Sequence, residues 1–250
     1  MNSTKKCLNR NIHSVILASL LAASSSTAMA ENGFKGSGEL GYSDMSGNTE
    51  STSLYASLKL SYTQDVFEIK SLIEANYQEE GGDKTQERYL VDLQGNRYYN
   101  GSKTYYSFLG ARFEKSFSEG IDLDSTYTGG LGRTLYKTDA TKLTGELGVG
   151  YQTVDYSTAF GGGSDDNTIG RVKADLTHTF NENVDFTQDL ITTVGISDKN
   201  TKIEANSALK VKLAEKMRLS AGFKYRRNSD PAAGAEKVDK QTLLTLVFDF

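Results

Sequence analysis

Apolar and polar residues alternate with a period of two along most of the chain, and this pattern restricts the possible folds more than any other feature. The segment 203–213 reads I-E-A-N-S-A-L-K-V-K-L, where five of six odd positions are apolar and Ala208 is the one apolar residue at an even position. Helical spacing from the first residue instead reaches Asn206, Ser207 and Lys210, which are polar. A strand is therefore predicted, because a strand sends successive side chains to opposite faces.

Twelve segments follow this pattern. They span 33–43, 50–62, 66–78, 86–98, 103–116, 124–136, 142–153, 168–180, 184–197, 202–213, 217–227 and 239–250. The single proline of the chain, Pro231, lies outside all of them, as uninterrupted strand pairing requires. Gly129, Gly130 and Gly132 leave the phase of the sixth segment open, and a count of ten strands is the alternative.

The connections between these segments also alternate in length. Those after even-numbered segments are tight, such as Asn181-Glu182-Asn183, whereas Val154–Asn167 and Asn228–Val238 are the longest of the others. An even number of alternating strands with tight turns at one end is typical of an antiparallel up-and-down transmembrane β-barrel. An even count places both termini at one end, which is periplasmic in such barrels. We therefore expect Val154–Asn167 to lie outside the cell.

Aromatic residues on the apolar faces form two bands, as expected at the two interfaces of a bilayer. The band at the tight-turn end comprises Phe34, Tyr62, Phe67, Tyr99, Tyr105, Phe180, Phe186 and Phe250. The band at the other end comprises Tyr42, Tyr77, Tyr89, Phe113, Tyr151 and Tyr225. A soluble periplasmic β-sandwich that acts as a binding module is the alternative, although a sandwich has no reason to place aromatics in two bands.

Residues 1–30 have the form of a secretory signal peptide, with a basic start, the apolar run VILASLLA and Ala-Met-Ala before cleavage after Ala30. Residues 31–250 would then form the barrel domain. The leader contains three basic residues and Cys7, so the remaining chain has no cysteine and 25 Lys+Arg against 32 Asp+Glu, a net charge of −7. Disulfides are thereby excluded, and an acidic chain without a basic patch is a poor candidate for binding nucleic acid.

The chain ends in LLTLVFDF, whose last strand has Phe248 on its apolar face and Phe250 as the terminal residue. A terminal phenylalanine after alternating apolar residues is similar to the signal by which the barrel-assembly machinery recognises its substrates. Together with the leader, it predicts a monomer in the outer membrane of a Gram-negative-type bacterium, with outer-membrane lipid and that machinery as partners.

Charged residues recur on the polar faces, which would line the lumen. The candidates are Glu39, Lys59, Lys70, Glu74, Arg88, Asp92, Arg112, Glu114, Arg133, Glu146, Arg171, Lys173, Asp175, Asp189, Glu204, Lys210 and Lys224. These nine basic and eight acidic groups almost cancel. They either fill and stiffen the interior of a structural barrel or line a narrow, weakly selective pore.

No motif predicts a catalytic, cofactor or metal site. His178 shares its phase with Val172 and Phe180, so it is expected on the outer face, where it could not serve as a base in the lumen. Asp165-Asp166-Asn167 is interpreted as a solvated acidic loop, because three adjacent residues rarely converge on one ion. An enzyme acting on envelope lipid or peptide is the alternative function.

Several short motifs, taken in their order along the chain, resemble the YdiY-like family of salt-induced outer-membrane proteins. They are Ser46-Gly47-Asn48-Thr49, Gly130-Leu131-Gly132, Phe186-Thr187-Gln188, Ser207-Ala208-Leu209, Asn228-Ser229-Asp230-Pro231 and Lys240–Phe250. The resemblance implies an outer-membrane barrel with a link to salt or osmotic response, no catalytic residues and an unassigned molecular role. The absence of tryptophan departs from the family's usual aromatic content. The backbone of Gly47-Asn48 is expected to form a turn.

Overall fold

The computed structural model describes residues 33–45, 51–99 and 101–250. The predicted leader with its cleavage after Ala30, and the predicted turn at Gly47-Asn48, lie outside these ranges.

The described residues form one closed antiparallel sheet of twelve strands, in which each strand pairs with its neighbours in sequence and the first pairs with the last. The strands are β1 (Gly33–Met45), β2 (Ser51–Gln64), β3 (Phe67–Glu80), β4 (Asp83–Tyr98), β5 (Tyr105–Ser116), β6 (Ile121–Lys137), β7 (Thr141–Tyr156), β8 (Ser164–Asn181), β9 (Val184–Gly195), β10 (Thr201–Ala214), β11 (Met217–Asn228) and β12 (Val238–Asp249). The predicted twelve-stranded up-and-down barrel is confirmed. The ten-strand count and the β-sandwich are wrong, because a sandwich has open edges and this sheet has none.

Closure of the barrel depends on the pairing of the chain's two ends. Leu40 stands opposite Leu246, and the backbones of Gly36 and Phe250 exchange hydrogen bonds of 2.8 and 2.9 Å. The Phe250 ring lies over Gly36, where an added Cβ would come within 2.3 Å of it. The terminal phenylalanine therefore contributes to the seam that joins the last strand to the first.

The outer face is apolar at mid-height. The side chains of Leu109, Leu131, Leu147 and Val149 are between 65% and 75% exposed. A continuous belt of this kind suits contact with hydrocarbon, since a protein surrounded by water rarely exposes so much apolar surface. Exposed aromatics flank the belt at the tight-turn end, here called the turn end, and at the opposite loop end. They are Phe34, Tyr62, Phe67, Tyr99, Tyr105 and Phe180 at the turn end, and Tyr42, Tyr89 and Tyr151 at the loop end.

Two connections differ from expectation in length. Half of Val154–Asn167 belongs to β7 and β8, which leaves residues 157–163 as a connection containing one short 3-10 helix, Thr158–Phe160. The acidic half of the segment extends the sheet because Asp165 and Asp166 pair with Val154 and Thr153. Within the described ranges, the longest connection is instead 229–237.

The described part of the chain contains no helix that is both long and apolar enough to cross a membrane.

Candidate functional site

Inward-facing side chains fill much of the barrel, and most of the large ones are charged. Sixteen of the seventeen charged residues predicted for the lumen stand on the inner face of their strands. These are Glu39, Lys59, Lys70, Glu74, Arg88, Asp92, Arg112, Glu114, Glu146, Arg171, Lys173, Asp175, Asp189, Glu204, Lys210 and Lys224.

Arg133 is the exception, and the prediction that it faces the lumen is wrong. The inner positions of β6 near it are Gly130 and Gly132, and a Cβ at Gly132 would come within 2.2 Å of the Tyr106 ring. Gly132 leaves room for the inward-facing Tyr106 side chain of β5. The residues on either side of Gly132, Leu131 and Arg133, therefore point outward. Arg133 is exposed, and its guanidinium lies 5.0 Å from the centre of the Tyr105 ring at the turn end.

The loop-end half of the lumen contains a buried network of ion pairs. Arg88 is 5% exposed and donates to Glu74 at 2.6 Å and to Glu114 at 2.7 Å. Lys224 also pairs with Glu74, and Arg226 pairs with Glu114. A buried charge is tolerated only when it is paired and hydrogen-bonded, and Arg88 meets that condition through its hydrogen bonds to Glu74 and Glu114.

Arg112 carries this network across the lumen. Its guanidinium donates to Glu114 of the same strand, β5, and to Glu204 of β10 at 2.6 Å. Strands β5 and β10 are five places apart in a ring of twelve, so the Arg112–Glu204 pair joins nearly opposite walls. The ion cluster is defined by contacts of 3.0 Å or less and has eight members, Arg88, Arg112, Lys224, Arg226, Glu74, Glu114, Glu119 and Glu204. Four positive and four negative charges thus cancel within it. Asp92 lies at its edge, 4.0 Å from Arg112.

Glu119 joins the ion cluster from a connection rather than from a strand. Residues 117–120 turn inward at the loop end and bring the Glu119 carboxylate within 2.6 Å of the Arg226 guanidinium. The Ser157 amide donates to the Gly120 carbonyl, and the Phe160 ring lies where a Gly120 side chain would be. Burial raises the pKa of Glu119, and Arg226 opposes this shift. The 157–163 connection thereby holds the inward fold of 117–120.

Sequence reasoning missed four charged residues of this half of the lumen: Glu119, Asp124, Lys202 and Arg226. Lys202 and Asp124 pair at 2.9 Å. Arg226 lies two residues after Lys224 and therefore on the same face of its strand. Asp124 and Lys202 are the first residues of predicted strands. The period-two pattern could therefore have identified these three residues as inward-facing. Glu119 has no such signal because it lies between strands.

A second layer of side chains lies nearer the turn end. The Glu146 carboxylate, 3% exposed, accepts hydrogen bonds from the Tyr106 hydroxyl, the Gln94 amide and the Arg171 guanidinium, each at 2.9 Å. The ring of Phe108 is buried beside this group and lies 5.1 Å from the Arg171 guanidinium. These contacts fill one side of the lumen and leave the other side open.

The open side forms a cavity of about 450 Å³, here called the turn-end cavity. It extends from Arg88, Arg112 and Arg226 of the ion cluster to Lys35 and Asp249 at the turn end. Towards the loop end, a space of about 130 Å³ lies beside Glu74, Arg88 and Arg226, and one of about 50 Å³ lies beside Arg112, Glu119 and Glu204. The ion cluster is therefore the constriction of the lumen.

The remaining candidate residues do not form a reactive site. His178 faces outward, with its Nδ1 at 2.7 Å from the Thr141 hydroxyl and its ring edge-on to Phe180. Asp165, Asp166 and Asn167 lie in β8 and not in a loop, so alternate side chains diverge. In the described ranges, no three His, Cys, Asp or Glu side chains are grouped so that they could hold a metal ion.

Comparison with protein-family models places the chain in a family. Residues 38–250 match the family described as "Protein of unknown function, DUF481". Because the match covers most of the chain, this protein belongs to that family. No curated protein matches its sequence.

Two solved structures that share the fold are outer-membrane channels. The NanC porin is 12% identical with a TM-score of 0.51, and the alignment covers 86% of this chain and 98% of the porin. The COG4313 outer membrane channel from Pseudomonas putida F1 is 10% identical with a TM-score of 0.52, covering 89% of this chain and 97% of the channel. At these identities the likeness is one of fold: a porin-like outer-membrane barrel.

Proposed function

We propose that this protein resides in the outer membrane and acts as a narrow, weakly selective pore. The apolar belt, the two aromatic bands and the porin-like fold support the location. The observation that carries the function is the Arg112–Glu204 pair, which joins opposite walls inside a cluster of four positive and four negative charges. Such a constriction limits the current, and its balanced charges favour neither anions nor cations.

Planar bilayer recordings test this proposal. We expect the folded protein to give small, discrete conductance steps with a permeability ratio for K⁺ over Cl⁻ within about threefold of one. The double variant Arg112→Ser with Glu204→Ser removes the cross-lumen pair without leaving a lone buried charge. Its conductance should rise severalfold. Arg133→Ser is the matched control, because it removes an arginine from the outer face and should leave the conductance unchanged.

A closed structural barrel is the second candidate, and the near-complete burial of Arg88 and Glu114 favours it. A silent wild type beside a conducting double variant would support this candidate over the pore. Silence of both proteins would refute the pore outright. A strong preference for one sign of ion would refute weak selectivity, since it requires a segregation of charge that the ion cluster lacks.

The remaining features of the proposal concern the cellular setting. The proposal includes export with cleavage after Ala30 and a monomeric state, both of which suit a closed barrel. It also includes recognition of Phe248 and Phe250 by the barrel-assembly machinery, which suits a terminal residue that lies at the seam. A role in salt or osmotic response rests on the resemblance to the YdiY-like family. Catalysis is not part of the proposal, because His178 faces away from the lumen.

A further inference from the structure

The turn-end cavity is rich in basic side chains. Nine lysines and arginines line it, against five aspartates and glutamates. Two of the five acids, Glu74 and Glu204, already neutralise arginines of the ion cluster, and Asp249 pairs with Arg218. Six of the nine cations also have carboxylate partners: four belong to the charge-balanced ion cluster, and Arg171 and Lys173 pair with Glu146 and Asp175. The positive charge without a carboxylate partner closer than 3.4 Å therefore lies on Lys35, Lys59 and Lys70.

Three lysines concentrate this excess on one wall. Ser61 of β2 stands opposite Lys35 of β1 on one side and opposite Lys70 of β3 on the other. Lys59 is the next inward residue along β2. With strands about 4.8 Å apart and inward residues about 7 Å apart along a strand, the three Cα atoms lie within about 10 Å of one another. We call these residues the lysine triad.

The lysine triad is poorly neutralised by the protein. No ion pair among the described residues involves Lys35 or Lys59, and both are exposed. Lys70 makes only a 3.4 Å contact with Glu68, and its side chain stays 44% exposed. Like charges on neighbouring strands repel one another, and an anion between them would relieve that repulsion.

The opposite wall adds further donors. Arg171 and Lys173 of β8 line the same cavity, although each also has a carboxylate partner, Glu146 and Asp175 respectively. The volume of about 450 Å³ is in the range of small-molecule sites. A wall of one charge sign inside a cleft concentrates counter-ions, and the lysine triad forms such a wall. Together with the volume of the cavity, this suits an anion much larger than chloride.

We infer that the turn-end cavity binds a small anion with two or more carboxylate or phosphate groups, held by the lysine triad. This inference rests on the proposed pore for the anion's route and deepens it by naming the class of solute. The ion cluster, with its charges balanced, would then set the conductance, while the cavity would set which solutes accumulate.

Titration calorimetry of the folded full barrel in detergent micelles tests the inference, with inorganic pyrophosphate and citrate as probes. We expect both probes to bind, and the double variant Lys59→Gln with Lys70→Gln to bind at least about tenfold more weakly, since two nearby charges are lost. The matched control, Lys115→Gln with Lys216→Gln, removes the same charge from exposed residues that do not line the cavity and should bind like the wild type. Raising the salt concentration should weaken binding.

Heat-dependent gel mobility shows whether each variant is folded. Absence of binding by the folded wild type, or equal weakening in the two double variants, would overturn the inference. Calorimetry measures anion binding at equilibrium, whereas bilayer recording measures the current through the pore. Failure of the anion site can therefore be distinguished from failure of the pore. A barrel that conducts without binding refutes the anion site alone, and one that binds without conducting refutes the pore alone.

Discussion

Leu147→Arg tests whether the apolar belt of the barrel faces lipid. Leu147 lies near the middle of β7, is 67% exposed, and stands between Leu131 of β6 and Val172 of β8, which are also exposed. Arginine on the lipid face of a barrel at the bilayer midplane costs about 2–4 kcal/mol. The ratio of folded to unfolded protein should therefore fall about 30- to 1,000-fold.

The measurement is equilibrium unfolding by urea of barrels reconstituted in lipid vesicles. The chain has no tryptophan, so far-ultraviolet circular dichroism or gel mobility must report folding. Thr144→Arg is the control: it introduces the same residue on the inner face of β7, 3.4 Å from Asp175, where polar surroundings accept it. Equal destabilisation by the two substitutions would refute the assignment of faces. Full stability of Leu147→Arg would refute contact with lipid at this depth.

Three further predictions use other parts of the barrel. Gly130→Ala should destabilise by about 1–3 kcal/mol, because its Cβ would lie 2.1 Å from a backbone carbonyl of β7, whereas Gly95→Ala, with open space around it, should be neutral or slightly stabilising in the same assay. An epitope inserted at Gly162, in the connection between β7 and β8, should be detected by antibody on intact cells; detection only after permeabilisation would reverse the orientation. The raised pKa of Glu119 means that its protonated form is favoured by burial, so the inward fold of 117–120 should be most stable in acid and lose stability as pH rises through that pKa. Proteolysis of this connection should then increase from pH 4 towards neutrality, and Glu119→Gln should abolish the dependence.

The strand count and the faces of eleven strands were accessible from the sequence. Each strand shows its own alternation of apolar and polar residues, because local backbone geometry places successive side chains on opposite faces. Ile203 to Leu213 shows its phase without knowledge of any partner strand. The same locality explains the failure at β6, where glycines carry no face preference and only the Tyr106 ring from β5 decides that Arg133 points outward.

The tertiary structure alone decided which charges meet. Arg112 and Glu204 are 92 residues apart, and their pairing depends on the number of strands in the ring and on the stagger between them. The sequence shows both residues as inward-facing and cannot show that they touch. Glu119 could not be predicted at all, because residues in a connection show no regular alternation of apolar and polar side chains. Its position follows from Phe160 and Ser157 of another connection, which only closure of the barrel brings beside it.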